Sequence, residues 1–190
     1  MEKLIFLTVA LVVVFGALYG LYVSVIKAKN KVQEAFSSID VQLKKRYDLI
    51  PNILTIANKF MEHEKGLLEE ITRLRTQAMN ISNNLSDSER KFALDKQING
   101  KLSEFMVAVE NYPQLKSDQT MIQAMQTYNE VEEHIAAARR FYNSAVLELN
   151  NKVEIFPSSI FAGMLAIKKQ PFFEIAEAER KPISAGEFFK

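Results

Sequence analysis

Cysteine is absent from the 190 residues, and histidine occurs only twice. Without thiols there are no disulfides, no thiolate nucleophile and no cysteine-ligated metal, while the compartment stays open. A two-metal site in a helical protein needs Glu-x-x-His on each of two helices. Phe60 and Val131 stand three residues before His63 and His134, so neither copy exists. Glu130 and His134 share a helix face, but a single pair falls short of the convergent ligands a metal needs. No Gly-x-Ser-x-Gly elbow, Walker loop or dinucleotide glycine pattern occurs. An excess of one charge is also missing: Lys plus Arg number 24 against 23 Asp plus Glu. With no stripe of basic and aromatic residues either, nothing calls for nucleic acid. No stretch alternates apolar and polar residues with period two, so no sheet is expected.

What the chain does have is an apolar run. Leu4 through Ile26 carries no charge, and Lys27, Lys29 and Lys31 follow at once. At ~1.5 Å per residue the run spans about 35 Å as a helix, enough for a ~30 Å hydrocarbon core. A signal peptide has a shorter apolar region and a small-x-small cleavage site. Here the run ends Tyr22-Val23-Ser24-Val25-Ile26, which favours a retained anchor. Only Lys3 and the amino terminus flank the other end, so the positive-inside rule puts the short N-terminus outside and the rest in the cytoplasm.

Beyond the run the period is helical. Val32, Ala35, Phe36, Ile39, Leu43 and Tyr47 form one stripe; a second is read from Ile53 through Phe60, Leu67, Ile71 and Leu74 to Ile81. Phe92 to Tyr112 and Met121 to Val153 carry a third and a fourth. Ser86 with Glu89 fits a capping box, Asn83 and Asn84 suit the preceding helix end, and Ser117 or Asp118 can cap the fourth helix. Pro51 can kink one long helix or open a second after a turn; a reversal at 48–51 is favoured, since an unbroken helix would leave much of its stripe unpartnered. The expectation is an all-α chain: an N-terminal transmembrane helix (1–26), an antiparallel four-helix bundle (27–157) and a partly helical C-terminal tail (158–190). No Gly-, Pro- or Ser-rich linker separates Ile26 from Val32, so the first bundle helix should continue the anchor.

Three segments mix charge with apolar anchors: Asp40 to Asn52, Glu110 to Lys116, and Arg139 to Asn143. They contain a basic pair before Asp-Leu-Ile-Pro-Asn, then Glu-x-Tyr-Pro-x-Leu-Lys and Arg-x-x-Tyr-Asn. Together with Glu64, Glu133, Ile135, Ala136, Ala138, Asn150 and Phe156-Pro157 they resemble the LemA family of bacterial membrane proteins, from about Lys27 into the tail. Tyr47 and Ser117 are modest departures. The resemblance implies an inner-membrane anchor with its short end outside and a four-helix bundle behind it. It implies no activity and no cofactor. It also puts a membrane protease among the candidate partners.

The candidate site is the polar set Arg46, Asp48, Pro51, Asn52, Glu110, Tyr112, Pro113, Arg139, Tyr142 and Asn143. Its charged members either satisfy one another inside the bundle or line a groove where a partner docks. In the anchor, Gly16, Gly20 and Ser24 share one face at the spacing that lets transmembrane helices approach, so a homo-oligomer is expected. The tail offers Ile160, Phe161, Met164, Leu165 and Ile167, then Lys168 and Lys169, as a helix at the lipid headgroups or as cover for the bundle. Phe172, Phe173, Phe188 and Phe189 favour a packed fate. The function expected is a scaffold, adaptor or regulator working by contact with membrane lipids and a membrane protein. The alternative is a hydrolase or metal-dependent enzyme with its site at the polar set.

Overall fold

A computed structural model describes residues 1–174; Phe188 and Phe189 lie outside the described residues. The described residues are helical, with no strand. Helix α1 runs Glu2–Ala57, α2 Lys65–Met79, α3 Ser88–Val109, α4 Pro113–Lys116, α5 Gln119–Glu154 and α6 Ser158–Met164. A 3₁₀ turn at Leu85–Asp87 precedes α3. Among the described residues one helix, α1, is long and apolar enough to cross a membrane, and its apolar window is not buried at all.

The expected reversal at 48–51 does not occur. Helix α1 continues through Pro51 to Ala57, and the chain turns at 58–64, so the second stripe is divided between α1 and α2. The reason is local. A proline has no N–H to give the carbonyl four residues back, which normally kinks or breaks a helix. Here that carbonyl belongs to Tyr47, and Arg75 Nε from α2 donates to it at 2.5 Å. The Pro51 carbonyl in turn accepts the Thr55 hydroxyl at 2.7 Å. The actual turn is closed by short-range bonds from Lys59, Phe60 and Met61 to the end of α1, and Met61 is fully buried there.

Other boundaries follow side-chain chemistry. Pro113 opens α4 in its first turn, where a missing N–H costs nothing. The Asp118 carboxylate accepts the Met121 N–H at 3.0 Å, capping α5. The expected capping box is not formed: the 3₁₀ turn intervenes, and the Ser82 hydroxyl donates to the Asp87 carboxylate. Helix α2 ends at Met79 with Asn80 as its cap, ahead of Asn83 and Asn84.

The chain divides into two compact units. The first comprises Met1–Asp40 and Ala136–Phe172. Its α1 segment buries Val25, Ala28, Val32, Ala35, Phe36 and Ile39, and its α5 segment buries Tyr142, Ala145, Val146 and Leu149. The two segments run antiparallel: the Phe36 and Tyr142 rings lie 6.3 Å apart, and Lys31 Nζ meets Glu148 at 2.7 Å. After α6 the chain comes back along α5. Asn150 donates to the Gln170 carbonyl at 3.1 Å and accepts the Gln170 N–H at 2.9 Å. The Tyr142 hydroxyl donates to the Pro171 carbonyl at 3.0 Å.

The second unit comprises Val41–Ile135 with Phe173. Leu43, Ile50 and Ile53 from α1 are fully buried, as are Ile71 from α2, Ile98 and Phe105 from α3, and Leu115 from α4. Phe173 stacks on Phe92, centroids 4.2 Å apart and planes 2° from parallel.

Candidate functional site

The stripe of α1 places Arg46 between Leu43 and Ile50, where an apolar residue is expected. Its side chain is 2% exposed. Asp95 interrupts the stripe of α3 in the same way, between Phe92 and Ile98. The two meet: Arg46 Nη2 donates to the Asp95 carboxylate, and Nη1 donates to Glu132 of α5 at 2.8 Å. The Tyr47 hydroxyl adds a bond to Asp95 at 3.0 Å. Buried charge is tolerated when it is paired and hydrogen-bonded in this manner.

Burial alone would lower the Arg46 pKa, but Asp95 and then Glu132 more than offset it and hold the guanidinium charged well above its ordinary value. Burial, and then the Asp95 carboxylate, push the Tyr47 hydroxyl far above the ordinary tyrosine value. Tyr128 is raised as well, first by burial and then by Glu132, against the opposing effect of Arg46. A permanently charged guanidinium and two tyrosines held neutral clamp α1, α3 and α5 of this unit together.

Members of the predicted set fall in both units. Asp48 is over half exposed and faces Arg75 Nη2 at 3.8 Å. Asn52 is exposed. Glu110 is exposed and pairs with Lys116. Tyr112 reaches the α1–α2 turn, donating its hydroxyl to Glu64 at 2.6 Å, a bond that raises its pKa. Pro113 opens α4, exposed. Arg139 and Asn143 are half-buried and Tyr142 fully buried, all three in the first unit. Gly16 and Gly20 have open space, with nothing within 4 Å of where a Cβ would sit; Ser24 is half-buried. Both histidines are exposed.

Sequence reasoning missed Asp95, Glu132 and Arg75. A signal for Asp95 was present, as a carboxylate at a buried position of an otherwise apolar stripe. Nothing in the pattern points to Arg75, whose role exists only because Pro51 leaves a carbonyl open.

The second unit also carries a groove of about 750 Å³ between the end of α1 and α2. Ile50, Pro51, Leu54 and Leu68 line it together with Lys65 and Arg73.

Residues 35–185 match the sequence profile described as the LemA family. The chain belongs to the LemA family. It is similar to Protein LemA of Metamycoplasma hominis, 26% identical over 190 residues covering 98% of this chain and 85% of that one. It is also similar to two magnetosome proteins of Paramagnetospirillum magneticum, MamQ 2 and MamQ 1. Each is 29% identical over 89 residues, 47% of this LemA-family chain and 33% of the relative.

Proposed function

We propose that this LemA-family protein is a single-pass bacterial inner-membrane protein that acts by contact, as a non-catalytic scaffold, adaptor or regulator of a membrane complex. The observation that carries the proposal is the apolar segment of α1, bare of protein contacts over its window and continuous in one helix with the packed residues beyond it. Such a segment, followed by Lys27, Lys29 and Lys31, suits an anchor with its short N-terminus outside and residues 27–190 in the cytoplasm. The segments of α1, α2, α3 and α5 are read as an antiparallel four-helix bundle held stiffly beside the bilayer. Membrane lipids surround the anchor, Gly16, Gly20 and Ser24 pair it with a second copy, and the partner is another membrane protein, a membrane protease among the candidates. Nothing supports the enzyme alternative.

The test uses the full chain in cells. Carbonate washing should leave it in membranes at full length, protease added outside should spare the C-terminal part, and a photocrosslinker at Arg73 in the α1–α2 groove should yield a discrete membrane-protein adduct. A soluble chain beginning past residue 26 overturns the anchor. A membrane-bound chain with no adduct from Arg73 overturns contact through that groove.

A further inference from the structure

Residues 155–167, Ile-Phe-Pro-Ser-Ser-Ile-Phe-Ala-Gly-Met-Leu-Ala-Ile, carry no charge and lie between Glu154 and Lys168. They include α6, and four of their large side chains point away from the protein: Ile155 is 58% exposed, Phe156 75%, Ile160 53% and Met164 78%. Ser158 and Ala162, on the other face, are buried. An outward apolar face of this size in water is unfavourable. Where it sits relative to the anchor decides what covers it.

The register within the first unit gives that position. Lys31 lies beside Glu148 and Phe36 beside Tyr142, so α5 descends toward the anchor as α1 leaves it. Six residues further along α5, ~9 Å at the helical rise, Glu154 comes level with about residue 25. Burial agrees: Val25 is fully covered and Leu21, Val23, Ser24 and Ile26 are partly covered, while the residues from Gly20 back are exposed. Protein therefore packs against the last turns of the apolar run, on the bilayer side of Lys27. Glu154 pairs with Lys169 and Asn150 holds Gln170, so the chain leaves α5 and returns to it at that level. Ala166, at φ 51°, ends α6, with the Ile167 N–H bonded back to the Ala162 carbonyl at 2.9 Å, the reversal typical of a helix C-terminus.

We propose that residues 155–167 form a second membrane contact, a charge-free hairpin whose Ile155, Phe156, Ile160 and Met164 insert into the acyl–headgroup boundary beside the anchor. The inference rests on the anchor reading. Lys152 and Lys168 border the hairpin at the depth where cations meet headgroups. The occupant of the apolar face is lipid, because the face continues the lipid-facing run of α1 at the same height. Two attachments on one rigid unit would fix its rotation about the anchor axis, which a single helix cannot do.

The absence of native cysteine makes the test direct. Single variants Phe15→Cys, Ser38→Cys, Phe156→Cys and Met164→Cys of the full chain, all at exposed positions, are labelled with an environment-sensitive fluorophore. They are then reconstituted in phosphatidylcholine vesicles with spin-labelled acyl chains. The expected result is strong quenching at Phe15 by deep quenchers, quenching at Phe156 and Met164 by shallow quenchers, and none at Ser38. Labels at Phe156 and Met164 that behave like Ser38 while Phe15 is quenched overturn the hairpin contact and leave the anchor standing. An unquenched label at Phe15 overturns the anchor and the inference with it.

Discussion

Arg75→Met is expected to cost stability chiefly while residue 51 is proline. The Tyr47 carbonyl has lost its helical donor to Pro51 and takes the Arg75 Nε–H instead, at 2.5 Å. Bonds from charged donors contribute roughly 1.5–3 kcal/mol, and a buried acceptor left open costs about 1–3 kcal/mol. The Arg75 side chain is 22% exposed, so water replaces part of what is lost and the lower half of that range applies. Its other partner, Asp48, stands at 3.8 Å and is 53% exposed; an exposed pair of that kind adds at most about 0.5 kcal/mol. Methionine keeps the unbranched stem, so packing changes little. Arg75→Met alone should then cost about 1.5–2 kcal/mol.

In Pro51→Ala the restored N–H serves Tyr47 directly, and the same Arg75→Met change should cost about 0.5 kcal/mol. The coupling of ~1 kcal/mol exceeds the 0.3–0.5 kcal/mol scatter seen for independent sites. Pro51→Ala by itself should hold or raise stability, since it restores an intrahelical bond and removes a ring clash. The assay is thermal unfolding of the detergent-solubilised chain for the wild type, both single variants and the double variant, followed by far-UV circular dichroism. Equal costs of Arg75→Met in both backgrounds refute the reasoning, as does a Pro51→Ala variant that has lost helix.

Three further outcomes follow. Arg46→Met strands Asp95, which is buried, and Glu132, which water can partly reach; the cost should be about 3 kcal/mol, with partial recovery on adding Asp95→Leu, and a loss below ~1 kcal/mol in denaturant unfolding would mark the pair as superficial. Tyr47 and Tyr128 are raised above the ordinary 10.0, so their contribution to stability is complete below that value and is lost as pH climbs toward their native pKa. Tyrosinate absorbance, unobscured because the chain has no tryptophan, should show these two ionising only with unfolding; six tyrosines titrating normally in the folded protein would contradict the burial argument. Gly16→Ile with Gly20→Ile should abolish crosslinked dimers in membranes without unfolding the rest, because open space surrounds both glycines; unchanged crosslinks exclude that face.

The helices were legible because stripes of Val32, Ile39, Leu43 and their successors repeat over many turns, and periodicity averages out local exceptions. The end of α1 was misplaced because an unbroken helix was expected to leave its stripe unpartnered, and the donor from α2 that satisfies the carbonyl opposite Pro51 lies 28 residues away in the chain. The better signal was quieter: the stripe falters between Phe60 and Leu67, where the chain does turn. The polar set was read by motif, and motifs along the chain do not say which helices will face one another. Arg46 entered the set through its motif, yet it also interrupts a buried stripe of α1, and Asp95 interrupts the stripe of α3 in the same way.

That rule has a structural consequence. Apolar stripes such as those of α1 and α3 pack acceptably in several registers, since shifting by a turn exchanges one aliphatic contact for another. Charges at stripe positions remove that freedom. Arg46 must meet Asp95 and Glu132 or leave buried charge unpaired, and sliding α3 by one turn, ~5.4 Å, would break both its bond to Arg46 and its bond to Tyr47. The open carbonyl of Tyr47 sets α2 against α1 in the same way, because Arg75 of α2 brings its donor to that height. In the first unit Asn150 does this for the returning chain, accepting and donating at Gln170 as no aliphatic residue could. Arg46, the Tyr47 carbonyl and Asn150 each find partners in the alignment seen that a shift of one turn would remove. Register in this LemA-family protein is therefore set by a few polar positions, and the apolar stripes supply the cohesion.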